Sequence, residues 1–433
     1  MAIVTNGPKG TQDLMPKQTE KWQLVESVMR DHASLYGIGE VRTPVFEHTE
    51  LFLRGVGDTT DVVEKQMYTF EDKGGRSVTL RPEGTAGAIR AMLQSGVYND
   101  GYPLKMYYFT SCYRYEKPQA GRFREFKQFG VEIIGTKEPI ADAQTIMFAN
   151  GLIERLGLEN IELEINSIGC KTCRAEYHKA LTEYFEARKE DLCETCLSRL
   201  ERNPMRILDC KSPVCTEIGK DAPKITDYLC EECDEHFTAV KDYLTTMEIK
   251  FTVNPRIVRG LDYYSRTVFE FISSDIGAQS TICGGGRYDG LIEELGGKPT
   301  PALGFGMGME RLMLVMQAQK IEIPETANCE IYIANMGVNA LKKAMALGET
   351  LKSCGILADY DICGRGLKAQ MKYASKIGAE YTMVIGDNEI ETEKAEIKDM
   401  KTGEKTSISI GEDFLDDYMT NVTAKMDIGN LQF

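Results

Sequence analysis

Gly304, Gly306 and Gly308 fall at every second position of the chain. Side chains alternate faces along a strand, so this spacing strips one face to backbone and predicts a surface on which a flat ligand can lie. The segment then runs into a predicted helix, Met309 to Met316, with Glu310 and Arg311 at its start. Free N–H groups there favour anions, and Arg311 would add a fixed positive charge for phosphate. A glycine-rich packing strand would give the same pattern. The dinucleotide fingerprint is excluded, because its third glycine would fall on Met309.

A second cluster is more specific. Met106 to Tyr115 and Phe126 to Ile134 are rich in aromatic and β-branched residues, and Pro118 and Gly121 lie between them. This predicts a long-looped antiparallel hairpin. Arg114 and Glu116 stand where its first strand ends, and Phe126, Gln128 and Glu132 share one face of the returning strand by period two. An aromatic can cover a purine, Arg114 can neutralise an α-phosphate, and Glu132 can accept from an N–H of a ligand. A solvated polar strand face is the alternative.

Eight of the 13 cysteines lie between Cys170 and Cys233, in the pairs Cys170/Cys173, Cys193/Cys196 and Cys230/Cys233, with Cys210 and Cys215 close to that spacing. A CxxC turn aims two thiolates at one point, so two pairs can close a tetrahedral zinc site. Cys193 and Cys196 with Cys230 and Cys233 are the expected tetrad, since helical segments between them could bring both turns together. Buried free thiols are the alternative. Of the histidines, His32, His48 and His178 read as structural, while His236, near Cys230 and Cys233, is a candidate further ligand. Near the C-terminus Arg365, Lys368, Lys372 and Lys376 are spaced by three, four and four, which predicts one basic helix face. A solvated charged face has the same spacing.

These groups need a scaffold, and 433 residues suffice for two to four domains. A composition of 42% hydrophobic and 27% charged residues is that of a folded globular protein. No apolar run approaches the ~20 residues that span a bilayer, and Met1 to Leu14 has no signal-like pattern, so a cytoplasmic protein with no membrane contact is expected. The net charge of −15 argues against nucleic-acid binding unless lysines and arginines share a face. Helices are predicted over Lys17 to Tyr36 and around Ile146 to Leu156, and a strand over Ile161 to Ile165; Phe251 to Ser273 returns to strand-like sequence, and Val268 to Ile272, the glycine run Gly284 to Gly286 and Gly304 to Met316 complete one antiparallel-sheet domain. Between them, Ser167 to Lys250 reads as an insertion, and Ala318 to Ala327 as a linker. Strands at Ile331 to Ala334, Ile356 to Tyr360 and Tyr381 to Ile385 alternate with helices Val338 to Ser353 and Leu367 to Ile377. That order predicts a small parallel-type α/β domain.

The hairpin, TSCYRYEKPQAGRFREFKQFGVEIIG within Tyr107 to Gly135, resembles motif 2 of class II aminoacyl-tRNA synthetases, and GFGMGMERL, Gly304 to Leu312, resembles motif 3. Val41 to Leu53, with Pro44, is similar to motif 1. VRGLDYYSRTVFEF (Val258 to Phe271), CGGGRYDGL (Cys283 to Leu291) and TLRPEGTAG (Thr79 to Gly87) narrow the resemblance to histidyl-tRNA synthetases, over essentially the whole chain. It implies an α+β fold: a class II catalytic domain of residues 1–167 and 250–320, an antiparallel sheet flanked by helices; an inserted helical, cysteine-rich domain, 168–249; and an anticodon-binding α/β domain, 327–425.

The resemblance also implies roles. Glu83, Thr85 and Gln128 would hold the α-amino group of L-histidine, and Glu132 and Tyr264, with Tyr263 beside it, would read the imidazole. A carboxylate and a hydroxyl match its one N–H and one bare nitrogen. Arg114, Arg259 and Arg311 would clamp the substrate carboxylate and the ATP phosphates, with Arg259 and Arg114 catalytic by electrostatics. Glu116, Phe126 and Gly306 would hold the adenosine, and Mg²⁺ would accompany ATP. Lys117 and Gln119 would face the acceptor end of histidine tRNA, and Arg365 and Lys368 its backbone. Motif 1 implies a homodimer. The competing reading is a non-catalytic regulatory subunit of ATP phosphoribosyltransferase, which resembles only the core of such enzymes.

Overall fold

The computed structural model describes residues 6–57, 60, 62–279, 281–324 and 329–422. Two units separate by their internal contacts, Met1–Ile323 and Pro324–Phe433. The expected linker falls at this division, with its residues 325–327 outside the described residues.

In chain order the strands of the first unit are β1 (Gly39–Glu40), β2 (Phe46–His48), β3 (Tyr68–Glu71), β4 (Ser77–Leu80), β5 (Leu104–Tyr113), β6 (Glu125–Ile134), β7 (Ile161–Ser167), β8 (Thr252–Val253), β9 (Ser265–Ser273), β10 (Thr281–Arg287) and β11 (Ala302–Gly308). Eight form one sheet in the order β1-β5-β6-β11-β10-β9-β7-β8, and β2-β4-β3 form a small second sheet. The inner pairings are antiparallel, but β1 with β5 and β7 with β8 run parallel. The sheet is therefore mixed rather than antiparallel throughout. The reason is connectivity: each rim strand is separated from its partner by long intervening chain, which a parallel pairing requires.

Both faces of this sheet are covered, which is why β6 from Phe129 to Ile134 is buried at every position instead of alternating. On one face Trp22, Val25 and Met29 of the helix Pro16–Leu35 pack with Ile146, Ala149, Leu152 and Ile153 of Pro139–Arg155. Leu312, Val315 and Met316 of Met309–Ala318 join the same core. Burying each such large apolar side chain stabilises by roughly 1.5–3 kcal/mol, more than helix propensity supplies. On the other face Ile89 and Met92 of the helix Thr85–Ser95 meet Met106, Ile134 and Val268. Tyr177, Leu181 and Phe185, from the cysteine-rich segment, extend this second core.

That segment contains the helices Lys171–Glu186, Glu194–Arg202, Pro213–Gly219 and Glu231–Thr246 between β7 and β8. The last of them places Phe237, Val240 and Leu244 in the first core, so it belongs physically to the body of the large sheet.

The second unit has β12 (Ile331–Asn335), β13 (Ala358–Tyr360), β14 (Tyr381–Ile385), β15 (Lys394–Asp399) and β16 (Lys405–Ser409) in the order β13-β12-β14-β15-β16. The first three are parallel, and the last two add an antiparallel hairpin. Ala395, Ile397 and Ile408 are its buried positions. With so few apolar residues on one face, the hairpin gives little sequence signal. Among the described residues no helix is long and apolar enough to cross a membrane.

Candidate active site

The glycines of β11 do something other than offer a bare surface. In register, Gly304 stands opposite Glu132 and Gly308 opposite Gln128. A Cβ on Gly304 would collide with the Glu132 carboxylate, and one on Gly306 with the Gln128 amide. Of the three glycines, Gly308 alone faces open space. The alternation thus makes room for two functional side chains of the neighbouring strand, which corrects the expectation of a flat bare platform. Gly284 plays the same part on β10, where a Cβ would lie 2.6 Å from the Arg259 guanidinium.

Glu132 is fully buried. Thr85 Oγ1 donates to it at 2.8 Å, Tyr108 Oη at 2.9 Å, and Tyr288 Oη donates to its other oxygen. Burial pushes its carboxyl up to about 8 despite these three donors. Glu83, also buried, accepts from the backbone N–H of Thr85 at 2.7 Å and of Ala86 at 2.9 Å, capping the helix Thr85–Ser95. Burial raises its pKa as well, against the pull of those N–H groups and of Arg114.

A cleft of about 500 Å³ runs over these groups, lined in part by Glu83, Thr85, Gln128, Tyr263 and Tyr264. The Tyr263 and Tyr264 rings lie 4.7 Å apart, and Tyr263 meets Tyr288 at 5.5 Å. Glu132 is not part of the cleft surface but lies behind it.

Arg114, Arg259 and Arg311 line the same cleft. Arg114 donates to Pro82 O at 2.8 Å and lies 5.2 Å over the Phe126 ring. Arg259 forms an ion pair with Glu270, whose other oxygen accepts from Thr281 Oγ1 at 3.0 Å. Burial works against the charge of Arg259, yet Glu270 beside it holds the guanidinium firmly protonated. Its Nε is buried with no hydrogen-bond partner among the described residues. Arg311 donates to Gly121 O at 3.1 Å and Thr281 O at 2.7 Å, so the motif 2 loop and β10 both fix its aim. Glu310 anchors the helix start, accepting Lys127 N–H at 2.9 and 3.1 Å, and burial pushes it up to about 7. Glu116, Phe126 and Gly306 also line the cleft, with Glu116 paired to Arg122 at 3.1 Å.

Several groups escaped sequence reasoning. Tyr108 and Tyr288 hold Glu132, Glu270 holds Arg259, and Asp209 and Lys211 reach the cleft from the cysteine-rich segment. Tyr288 lies within the quoted CGGGRYDGL run, and Tyr108 alternates with Thr110 and Cys112 towards the site; nothing local marks Asp209 or Lys211.

Lys117 and Gln119 are exposed in the turn between β5 and β6, outside the cleft, where Gln119 pairs with Arg122. In the second unit the helix starts at Leu367 after Gly366, so Arg365 is not on the basic face. Its guanidinium lies 4.2 Å over the Tyr373 ring and 3.4 Å from Asp361, which leaves Lys368, Lys372 and Lys376 exposed along the helix. The predicted row of four therefore becomes three, because glycine ends the helical register before Arg365.

The cysteine tetrad also needs correction. Cys230 and Cys233 meet Cys170 and Cys173, while Cys193 and Cys196 meet Cys210 and Cys215. The helix Glu231–Thr246 is held in the main core, and its first turn carries Cys233 just after Cys230. β7 runs beside β9 in the same body and delivers Cys170 there, so Cys230 meets the start of the segment rather than its middle. His236 joins neither group; its Nε2 lies 3.3 Å from Asp142.

A largely antiparallel sheet flanked by helices, carrying a motif 2 hairpin, a glycine-spaced motif 3 strand and a separate α/β unit, defines a class II aminoacyl-tRNA synthetase. The histidyl-tRNA synthetase profile matches residues 10–312, and an anticodon binding domain profile matches 330–414. A histidine–tRNA ligase of Clostridium perfringens is 54% identical over 403 residues, 93% of this chain and 96% of the relative. That of Caldanaerobacter subterraneus is 52% identical, over 95% of this chain and 98% of the relative. The crystal structure of apo S. aureus histidyl-tRNA synthetase superposes with a TM-score of 0.80 at 39% identity, covering 94% of this chain and 98% of that one. The chain belongs to the histidyl-tRNA synthetase family. It is an enzyme of the ligase class, and the regulatory-subunit alternative falls away.

Proposed function

We propose that this chain activates L-histidine with ATP to histidyl-adenylate, releasing pyrophosphate, and then transfers histidine to the 3′ end of histidine tRNA. The observation that carries this is one cleft with a buried, hydroxyl-bound carboxyl behind one part, Glu132, and three guanidiniums, Arg114, Arg259 and Arg311, along its wall. Glu132 accepts the imidazole N–H and Tyr264 donates to the bare nitrogen, with Tyr263 closing the slot. An amino acid lacking these groups would forgo both hydrogen bonds and leave the Tyr264 hydroxyl without its ligand partner, which discriminates against it. Glu83, Thr85 and Gln128 receive the α-ammonium.

The histidine carboxylate attacks the α-phosphorus in line, and pyrophosphate leaves. Arg259 and Arg114 stabilise the charge that builds there, which is worth ~3–4 kcal/mol for one well-placed donor in a water-poor site. The unpartnered Nε of Arg259 suits this task. Arg311 holds the phosphates, and Glu116, Phe126 and Gly306 hold the adenosine. Mg²⁺ enters with ATP as part of the substrate.

The exposed Lys117 and Gln119 suit the tRNA acceptor end, and Lys368 its backbone, with Lys372 and Lys376 extending the positive row. We assign residues 1–167 and 250–320 to catalysis, 168–249 to the insertion and 327–425 to anticodon binding, with 1–5, 58, 59, 61, 280, 327, 328 and 423–425 outside the described residues. Exposed Val45, Phe46 and Leu53 in the motif 1 region support a homodimer. The protein works in the cytoplasm. Pyrophosphate exchange measured with each amino acid tests the proposal: histidine alone should drive it, and exchange with another amino acid at equal efficiency would refute the specificity.

A further inference from the structure

Eight cysteines that the reaction does not use are gathered into two groups of four: Cys170, Cys173, Cys230 and Cys233, and Cys193, Cys196, Cys210 and Cys215. Within each group all the sulfurs lie within 4.8 Å of one another. Cys170 Sγ is 3.6 Å from Cys173 Sγ and 3.9 Å from Cys230 Sγ, and Cys193 Sγ is 3.8 Å from Cys210 Sγ. Four ligands at a Zn–S distance of ~2.3 Å stand about 3.8 Å apart at the corners of a tetrahedron. All eight are free thiols.

The backbone is arranged for thiolates as well. Cys230 N–H points at Cys173 Sγ at 3.1 Å, Cys193 N–H at Cys215 Sγ at 3.3 Å and Ser212 N–H at Cys210 Sγ at 3.4 Å. Each group has the same burial pattern, two sulfur-bearing residues buried and two half-buried. A gathering of thiols for packing alone has no need of this repeated geometry, and a disulfide would join sulfurs two by two rather than gather four within 4.8 Å of one another.

We propose that this protein holds two structural Zn²⁺ ions, one in each cysteine tetrad. Binding each ion releases the four thiol protons to solvent and leaves a closed tetrathiolate shell without a position for substrate. The first ion clamps the start of the segment, just after β7, to the helix Glu231–Thr246 that re-enters the main core. Its surroundings reach the histidine slot: Arg174 donates to Tyr264 O at 3.2 Å, and Arg266 N–H to Gly169 O at 2.9 Å. The second ion fixes the turn carrying Asp209 and Lys211, both on the cleft wall, close to Arg206, which donates to Arg259 O at 2.9 Å. Zinc therefore braces the cleft without entering the chemistry.

The full-length protein, purified without added metal or chelator, should carry about two zinc equivalents per chain, with eight of its thiols unreactive until a strong chelator is added. Cys196→Ser and Cys233→Ser should each lower the content to about one equivalent. Cobalt exchanged into the wild type should give the absorption of tetrahedral tetrathiolate sites, a readout that needs neither variant to fold. Zinc below about a tenth of an equivalent with all eight thiols reactive, or disulfides within the tetrads, overturns the proposal. A single equivalent that survives one of the two substitutions unchanged overturns the two-site assignment. None of these readouts depends on amino-acid specificity.

Discussion

The catalytic cleft and the cysteine-rich segment both concentrate reactive side chains, but they position them by different physics. In the cleft Phe126, Gln128 and Glu132 ride on one strand of the sheet, and Glu83, Thr85, Arg114, Arg259, Tyr264 and Arg311 come from loops and helix starts at its strand ends. Register sets Gly304 opposite Glu132 and Gly308 opposite Gln128, and an error of one residue would turn every side chain to the other face. In the segment the groups ride on short helices and turns, and only the pairs within a CxxC turn are set locally. Period-two reasoning therefore placed Phe126, Gln128 and Glu132 on one face correctly, whereas spacing misjudged which cysteine pairs meet. Which residues share a face of one strand is legible in the sequence; which strands or turns meet is not.

If the cleft is the rigid partner of the two, its point variants should be the most damaging. Arg259→Ala should lower pyrophosphate exchange by about 10²–10³ while tRNA binding, measured by filter retention, stays largely intact. Exchange within a few-fold of wild type would remove Arg259 from the activation step.

Glu132→Gln should cut kcat/KM for histidine by roughly tenfold to a hundredfold, since an amide keeps the shape but loses the buried acceptor pair. Its pH dependence gives a second reading. The Glu132 carboxyl sits at about 8 in the folded protein, above its unfolded value, so the proton it holds favours folding at low pH and that contribution is lost as pH rises through about 8. The ionised carboxylate accepts an imidazole N–H more strongly than the neutral acid does, so histidine affinity should rise as pH rises through about 8 and level off above it. Titration calorimetry on wild type and Glu132→Gln would test this, and an identical pH profile in both would assign the dependence elsewhere.

Truncation between Gln319 and Pro324 should leave adenylate formation within a few-fold but reduce tRNA charging roughly tenfold or more, with a weaker salt dependence. Equal charging by the truncated enzyme would deny the second unit its tRNA role. Tyr108→Phe removes one of three hydroxyls from Glu132 and should cost about 1 kcal/mol, a few-fold in histidine kcat/KM. The smallest effect on catalysis is expected from chelation, which acts on the looser of the two regions: amide exchange in the Lys171–Gly219 helices should accelerate before adenylate formation falls by more than about threefold.

Local periodicity and spacing were enough to write the motif 2 hairpin, the motif 3 strand with its helix, the parallel strands of the second unit and the presence of cysteine pairs. Much of the cleft lining was named as well, since Glu83, Arg114, Gln128, Arg259, Tyr264 and Arg311 lie in motifs that resemblance could carry. Packing of distant segments settled the rest. It made Gly304 and Gly306 the room for Glu132 and Gln128, and it brought Tyr108, Tyr288 and Glu270 in to complete the site. It also set Arg365 off its helix and joined Cys170 to Cys230 across 60 residues. Such contacts depend on which faces the common core buries, and no local pattern of residues encodes that choice.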